Sequence, residues 1–579
     1  MIALEKLNSL PEAEFVAALS SVFERSPWVP ERVAAARPFR SRLHLHSAMV
    51  QTVMQADVGD QLKLIRAHPE LAGRAAVRGE LTPESTREQK AAGLSGCTSQ
   101  ELSQIQALNA QYSNTFGFPF VLAVKGHTPA SVIAALERRV THTLDGERAV
   151  ALEEIGRIAG FRLADLVSEP LGAQCMAMLE ALAAFSEQDD ALTCSYLTSA
   201  HQATAQCIRE WMLAAGLEVE TDAVGNVIGR WYAVDSTAHT LITGSHYDTV
   251  VNAGKYDGRL GIVLPLAVAA EMRRAGERLP FTLEIIAFAE EEGVRFKSTF
   301  LGSRAVAGRF DLAVLDAVDS DQISMRGAMS VARLNPQAIA SAAHDGASTL
   351  GFVEIHIEQG PVLLSENLPL GVVTSIAGST RALVTITGVA GHAGTVPMSL
   401  RQDAAAAAAE IILSVEKICS GVPGLVGTVG RLEVPGGAVN VIPGRCELSV
   451  DIRAPEDTVR MAAFEDVISG SARIAQRRKV EIEVRKVLEV RSVPCAPGMQ
   501  KRWAKSIQQV TSAPTVRFLP SGAGHDAMMM SELTEIGMLF VRCGNGGVSH
   551  HPAETMTEAD ADLAGRVFAD FLRNFSMPV

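Results

Sequence analysis

Residues 240–261 read Thr-Leu-Ile-Thr-Gly-Ser-His-Tyr-Asp-Thr-Val-Val-Asn-Ala-Gly-Lys-Tyr-Asp-Gly-Arg-Leu-Gly. An apolar, β-branched run, Thr240–Gly244, leads directly to His246. A glycine-bounded turn then carries Asp257, and an apolar helix is expected over Gly261–Ala275. A strand that ends on a histidine and feeds a helix is the unit of an α/β sheet, whose carboxyl edge is where sites usually form.

The same rhythm extends outward. The runs Asn226–Trp231, Phe281–Phe288 and Gly351–Ile357 read as further strands of a mostly parallel sheet. Near Thr374 the pattern changes. Strands are expected at Ala382–Val389, Leu425–Glu433 and Cys446–Ala454, with an Ala-rich helix, Asp403–Val415, whose Ala404–Ala409 run forms a buried face. This reads as an inserted α+β lid, after which the α/β pattern resumes near Val493. The first 166 residues differ again. Glu12–Phe23, Leu43–Ala56, Pro83–Ala92, Ser99–Phe116 and Pro129–Thr143 space apolar residues three and four apart, which predicts amphipathic helices. Helix starts are expected at Ser99 and at Thr128 before Pro129. The expected organisation is therefore an all-α domain over 1–166, a linker at 167–174, an α/β domain over 175–373 and 494–579, and the lid over 374–493.

Composition narrows the function. The 579 residues exceed what one hydrophobic core organises, and 47% hydrophobic with 20% charged residues is an ordinary globular balance. A net charge of −13 argues against a nucleic-acid partner. The eight cysteines are scattered without a CxxC pair, which reads as reduced thiols in a cytoplasmic enzyme. No secretory leader is legible at the N-terminus, no apolar run is long enough to span a bilayer, and the terminal Ser-Met-Pro-Val is not an address signal.

Five segments carry the chemistry of the α/β half: Thr243–Thr249 with His246, Lys255–Gly261 with Asp257, Ala289-Glu-Glu-Glu-Gly293, Val353-Glu-Ile-His-Ile-Glu-Gln-Gly-Pro361, and Val548-Ser-His-His-Pro-Ala-Glu554. Each alone has a bland reading: a satisfied histidine, a solvated acidic run, an Asp-Gly turn. In order, each at a strand end or in a glycine-bounded turn, they offer imidazoles and carboxylates suited to Zn²⁺ or Mn²⁺. Three histidines and two carboxylates are enough for two ions if one carboxylate bridges. The adjacent Glu291 and Glu292 invite a division of labour, one binding metal and the other taking a proton from the attacking water.

These segments resemble the allantoate amidohydrolase and N-carbamoyl-L-amino acid amidohydrolase branch of the aminoacylase-like dinuclear metallohydrolases. Phe300-Leu-Gly-Ser-Arg304, Gly391-His-Ala-Gly-Thr-Val-Pro-Met398 and Ser521-Gly-Ala-Gly-His-Asp-Ala527 add to the likeness over about residues 175–575. The resemblance implies that Asp257 bridges two ions, that His246 and His356 complete one site and Glu292 and His550 the other, and that Glu291 is the general base. It implies a lid that mediates homodimerisation and carries His392 to polarise the scissile carbonyl. Asn440 and Arg453 would hold substrate, and Gln359 would touch it.

In the helical region, His68-Pro-Glu-Leu71, Leu81-Thr-Pro-Glu-Ser-Thr-Arg-Glu-Gln89, Phe116-Gly-Phe-Pro-Phe120 and Arg157-Ile-Ala-Gly-Phe-Arg-Leu-Ala-Asp-Leu166 resemble 2-oxo-4-hydroxy-4-carboxy-5-ureidoimidazoline (OHCU) decarboxylase, a cofactor-free all-α enzyme. The implied roles are His68 as a proton-transfer group near neutral pKa, Glu88 as its partner and Arg162 as a substrate anchor. Ser85 lies nearby, and the backbone at Phe118–Val121 lines the pocket. A first half that makes S-allantoin points to allantoate as the substrate of the second. An N-carbamoyl-L-amino acid is the alternative. Small-molecule ureides, and neither nucleic acid nor membrane, are the expected partners.

Overall fold

The computed structural model describes residues 1–72, 82–91, 97–125, 127–235 and 237–575. Leu81, Ala92 and the terminal Ser576–Val579, all touched by the expectations above, lie outside the described residues.

The N-terminal region is helical. Glu12–Leu19, Arg42–Met54, Pro83–Ala91, Ser99–Phe116 and Pro129–Arg139 form where periodicity places them. Trp28–Val33, Val58–Ala67 and Leu144–Leu166 add to them. The cap of Ser99–Phe116 sits one residue before the expected start. Thr98 accepts from the Glu101 amide while the Glu101 carboxylate accepts from the Thr98 amide, satisfying two donors that a helix N-terminus leaves free. Thr128 caps the helix that begins with Pro129, as its sequence predicts. Leu45, Met49, Ile65, Tyr112 and Leu136 are fully buried at the centre. The stretch read as a linker is divided between elements. Val167–Ser168 pairs in parallel with Ile2–Ala3, and the helix Leu171–Ala183 begins three residues on.

The C-terminal half holds a nine-stranded sheet in the order Val493–Pro494, Leu370–Ile376, Ile536–Val541, Thr349–Ile357, Thr240–His246, Thr282–Phe288, Val227–Trp231, Glu218–Thr221, with Phe518–Ser521 alongside Leu370–Ile376. The expectation of a mostly parallel sheet needs refining. The four strands from Ile536–Val541 to Thr282–Phe288 are mutually parallel, while Val227–Trp231, Glu218–Thr221 and Val493–Pro494 run antiparallel to their neighbours, and Leu370–Ile376 runs antiparallel to Ile536–Val541 and Val493–Pro494 but parallel to Phe518–Ser521. The parallel centre, buried on both faces, is near-continuously apolar. It brings four carboxyl ends to one edge. Helices Leu171–Ala183, Leu260–Arg274, Pro497–Thr511 and Glu558–Arg573 pack together as a layer, with Trp503 stacked 4.1 Å from Phe571.

Between Ile376 and Val493 the chain builds a second α+β unit. Strands Val426–Thr428, Arg445–Ala454, Gly378–Thr387 and Glu481–Val490 form an antiparallel sheet, joined on Arg445–Ala454 by Leu432–Glu433. The expected strand Leu425–Glu433 is thus two short pieces. Helices Ala404–Ser420 and Asp457–Arg478 pack against this sheet and each other. Asp403 caps the first, and Ala404, Ala407 and Ala408 form its buried face. Burial alternates along Arg445–Ala454, the period-two signature of a sheet covered on one side. Val493 pairs with Ile376, so the chain leaves and re-enters the large sheet at one point. Among the described residues no helix is long and apolar enough to cross a membrane.

Candidate active sites

His246 is the last residue of its strand and His356 the next to last of its own, so the parallel registers bring both imidazoles to one edge. Asp257 lies between them on the turn that opens the following helix. Its Oδ1 is 3.1 Å from His356 Nε2 and 3.7 Å from His246 Nε2. Its Oδ2 is 3.1 Å from His550 Nε2, which is 3.5 Å from Glu292 Oε1. One carboxylate therefore turns one oxygen to each of two donor sets. Potential ligand atoms of His246, Asp257 and His356, of Asp257, Glu292 and His550, and of His246, Glu291 and Glu292 lie within 4.8 Å of one another in each group. Gly258, at φ +64°, is required here, because a Cβ would stand 2.5 Å from the His246 ring. His551 turns away, accepting from the Ala553 amide, so His550 is the member of the doubled histidine that faces the cluster.

The electrostatics fit a cationic occupant. Burial, and then the Asp257 charge, push Glu292 up to about 7. Burial, then Glu292, hold Glu291 well above the usual carboxylate range. The hydrogen bond to Asp257 leads the rise of His550 to about 9. Buried acids crowded at this density, beside imidazoles, form a donor set that divalent ions satisfy.

Two carboxylates and an amide brace the cluster, and a third carboxylate orders the chain beside it. Asp248 accepts from the amides of Glu291 and Glu292, each at 3.1 Å, and lies 3.3 Å from His246 Nδ1. Glu554 accepts from the amides of Tyr256 and Asp257 and from the Ser549 hydroxyl. Glu358, inside the His356 segment, accepts from the Val362 and Leu363 amides and so caps a short helix. Gln359, at φ +54°, donates to Asp257 Oδ2 at 2.8 Å.

The helical domain holds a second site. His68, Ser85, Glu88, Gln89, Phe120 and Arg162 line a cavity of about 210 Å³. Arg162 Nε and Nη2 grip Glu88 at 2.8 and 3.1 Å, and Nη1 donates to Glu24 at 2.9 Å. Nη2 also donates to the Ser85 hydroxyl at 3.3 Å. His68 is buried, and among the described residues its Nε2 has no hydrogen-bond partner. Two sequence expectations are corrected here. Burial, and then the neighbouring Arg162 charge, lower His68 to about 3, so the imidazole is neutral rather than poised near neutrality. Phe118 does not line the cavity. Its ring packs against Tyr112 and Phe116 in the core, and Phe120, Val121 and Leu122 supply the wall.

Residues 242–574 match the profile described as Peptidase family M20/M25/M40. The chain belongs to the M20/M25/M40 peptidase family. Residues 8–164 match OHCU decarboxylase, so an OHCU decarboxylase domain precedes the M20 half. Allantoate deiminase of Arabidopsis thaliana is 38% identical over 440 residues, covering 71% of this chain and 83% of that protein. N-carbamoyl-L-amino acid amidohydrolase of Geobacillus stearothermophilus is 38% identical over 370 residues, covering 64% of this chain and 90% of its own length. The crystal structure of a hydantoinase/carbamoylase-family amidase from Burkholderia multivorans superposes with a TM-score of 0.65 at 29% identity, covering 69% of this chain and 97% of that one.

Among the described residues, those expected from the α+β unit make no hydrogen bond or ion pair to the cluster. His392 and Asn440 are exposed and adjacent to each other, because His392 pairs with Val441 across two short strands. Arg453 reaches the large domain, donating to the Gly522 carbonyl at 2.7 Å, but its fork is held by Asp451. Sequence reasoning passed over Asp248, Glu554 and Glu24. Asp248 carries a faint signal two residues after His246. Glu24 carries none, lying far along the chain from Arg162.

Proposed function

We propose that this chain joins two ureide-degrading activities: decarboxylation of OHCU to S-allantoin, and hydrolysis of allantoate to ureidoglycine, ammonia and CO₂. The observation that carries the reading is the pairing in one chain of the His68 cavity with the Asp257 cluster. The first half releases allantoin, which favours a substrate for the second half from the same chemical series.

In the M20 half, His246 and His356 would hold one divalent ion, Glu292 and His550 the other, with Asp257 shared. Zn²⁺ and Mn²⁺ both suit these donors. Such ions, when bound, acidify water and polarise a carbonyl. Glu291, whose backbone N–H donates to the Asp248 carboxylate, takes the proton of the attacking water. It returns that proton to the nitrogen that leaves as the ureido C–N bond breaks, giving ureidoglycine and a carbamate that decays to ammonia and CO₂. The α+β unit serves as a lid and dimer surface. There His392 stabilises the oxyanion, while Asn440 and Arg453 engage the substrate carboxylate and amide. Gln359 keeps the Asp257 carboxylate in orientation at the substrate's edge. The expected setting is the cytoplasm.

In the decarboxylase half no cofactor is required. The C–C bond to the carboxylate breaks, CO₂ leaves, and its electron pair passes into the ring carbonyl as an enolate. His68 Nε2, without a partner among the described residues, relays a proton taken from water to one face of that carbon. Glu88, braced by Arg162, orients the hydroxyl and ureido groups.

The deciding experiment compares ammonia release from allantoate, N-carbamoyl-L-amino acids and ureidoglycolate on protein reconstituted with Zn²⁺ or Mn²⁺. OHCU generated in situ from urate is followed in parallel. Preference for allantoate together with OHCU loss supports the reading. Preference for a carbamoyl amino acid overturns its second half.

A further inference from the structure

A second cavity, of about 630 Å³, lies between the helical domain and the M20 half. Arg42, Lys125 and Arg157 line it from one side, and Arg209, Trp211 and Arg274 from the other. Leu122, Lys125 and Phe161 line both this cavity and the one that holds His68. The two spaces therefore share a wall, and Lys125 stands in it.

The charges there are unevenly matched. Among the acids lining the seam, Glu154 and Glu210 are occupied by Arg157, and Glu169 accepts from the Arg42 amide. Glu218 is exposed and meets the Tyr232 hydroxyl. Among the described residues neither Lys125 nor Arg274 has a carboxylate within 4.0 Å, and the Lys125 ammonium lies 5.1 Å from the Phe161 ring centroid. Arg42 is lowered by burial and then by the charge of Arg274. Lys125 is lowered by burial and by Arg273 and Arg274, against the pull of Asp165. Cations contributed by both halves thus face one another across a cavity, an arrangement that an anion relieves. Inside the inner cavity, among the described residues, Arg162 is already held by Glu24 and Glu88 and Arg87 by Glu84, which leaves Lys125, with Asp165 also in the lining, as the cation placed to meet a carboxylate.

We infer that the seam cavity is an anion-collecting vestibule of the decarboxylase site, in which Lys125 passes a carboxylate-bearing ureide toward His68 and Arg274 of the M20 half completes the attracting field. The inference rests on the decarboxylase reading, whose substrate is necessarily a carboxylate. It makes the second half part of the entrance to the first, a role separate from its own chemistry.

Steady-state decarboxylation of OHCU by the full chain tests it. Lys125→Met should raise KM about tenfold, the scale of one charge-assisted contact, with kcat within about twofold. Lys125→Arg should recover most of the loss. Arg274→Glu should raise KM about threefold although it lies in the other half, and the fall of kcat/KM with added salt should flatten in Lys125→Met. An unchanged KM at both positions, or a loss confined to kcat, overturns the vestibule while leaving the decarboxylase intact. Absence of decarboxylation by the unsubstituted chain overturns the decarboxylase reading and this inference together.

Discussion

The two sites solve the problem of buried charge in opposite ways. Around Asp257, acids and imidazoles converge with few cations to balance them, and burial drives Glu291 and Glu292 upward. Around His68, among the described residues, Arg162 pairs with Glu24 and Glu88, and the histidine is left neutral with no partner on Nε2. A donor set in electrostatic deficit is built for ions. Under the proposed function, the neutralised set around His68 acts without an ion. The difference predicts that the halves respond separately to the same perturbations.

The largest separation should come from chelation. Removing divalent ions is expected to bring allantoate hydrolysis to background while decarboxylation continues at its original rate. Equal loss of both, measured on one sample, would break the contrast. Next, Glu291→Gln should retain its metal content yet lose about 10²–10⁴ in hydrolytic kcat, the usual contribution of a general acid–base group. His68→Ala is the mirror image, with decarboxylation lost on a similar scale and hydrolysis untouched. Metal analysis beside the two assays distinguishes an absent ion from an absent base.

A smaller effect sharpens the picture of how the ligands are held. Asp248→Asn removes the carboxylate that accepts from both the Glu291 and Glu292 amides and faces His246 Nδ1. Outer partners of metal ligands are commonly worth 10–100-fold in affinity or rate, and a loss of about that size is expected in hydrolysis, partly recovered at raised metal concentration. A variant with native affinity and rate would make Asp248 a turn residue only.

The cluster around Asp257 was legible because strand ends announce themselves. His246, His356 and the Glu291–Glu292 pair each follow an apolar β-branched run, and Asp257 sits in a glycine turn whose purpose is visible once the His246 ring is found against it. The bracing was not legible, because it depends on pairs distant in the chain: Glu554 with Asp257, Glu24 with Arg162. The same holds for Phe118, whose motif suggested a pocket but whose ring satisfies the core. The helix Leu144–Leu166 escaped periodicity because Glu147, Glu154 and Arg162 are buried within it, so its inward face is not an apolar stripe. Polar groups inside break the sequence pattern just where they build the site.

The smallest expected effect concerns stability. His68 is depressed in the folded chain from 6.5 to about 3, by burial first and then by Arg162. Below 6.5 the unfolded chain binds a proton that the native chain refuses. The stability of the helical half is therefore fully present above that pH and declines as pH falls toward 3, by at most about 1.4 kcal/mol per pH unit from this group. His46, also lowered by burial, adds to the same slope. Thermal unfolding followed between pH 7 and 5 should show the helical transition falling in the unsubstituted chain and falling less in His68→Asn, which carries no titrating ring. A parallel fall in both would mean that His68 is not held neutral. The imidazole would then be charged in the cavity, and the contrast between a site that needs ions and one already neutralised would lose its second half.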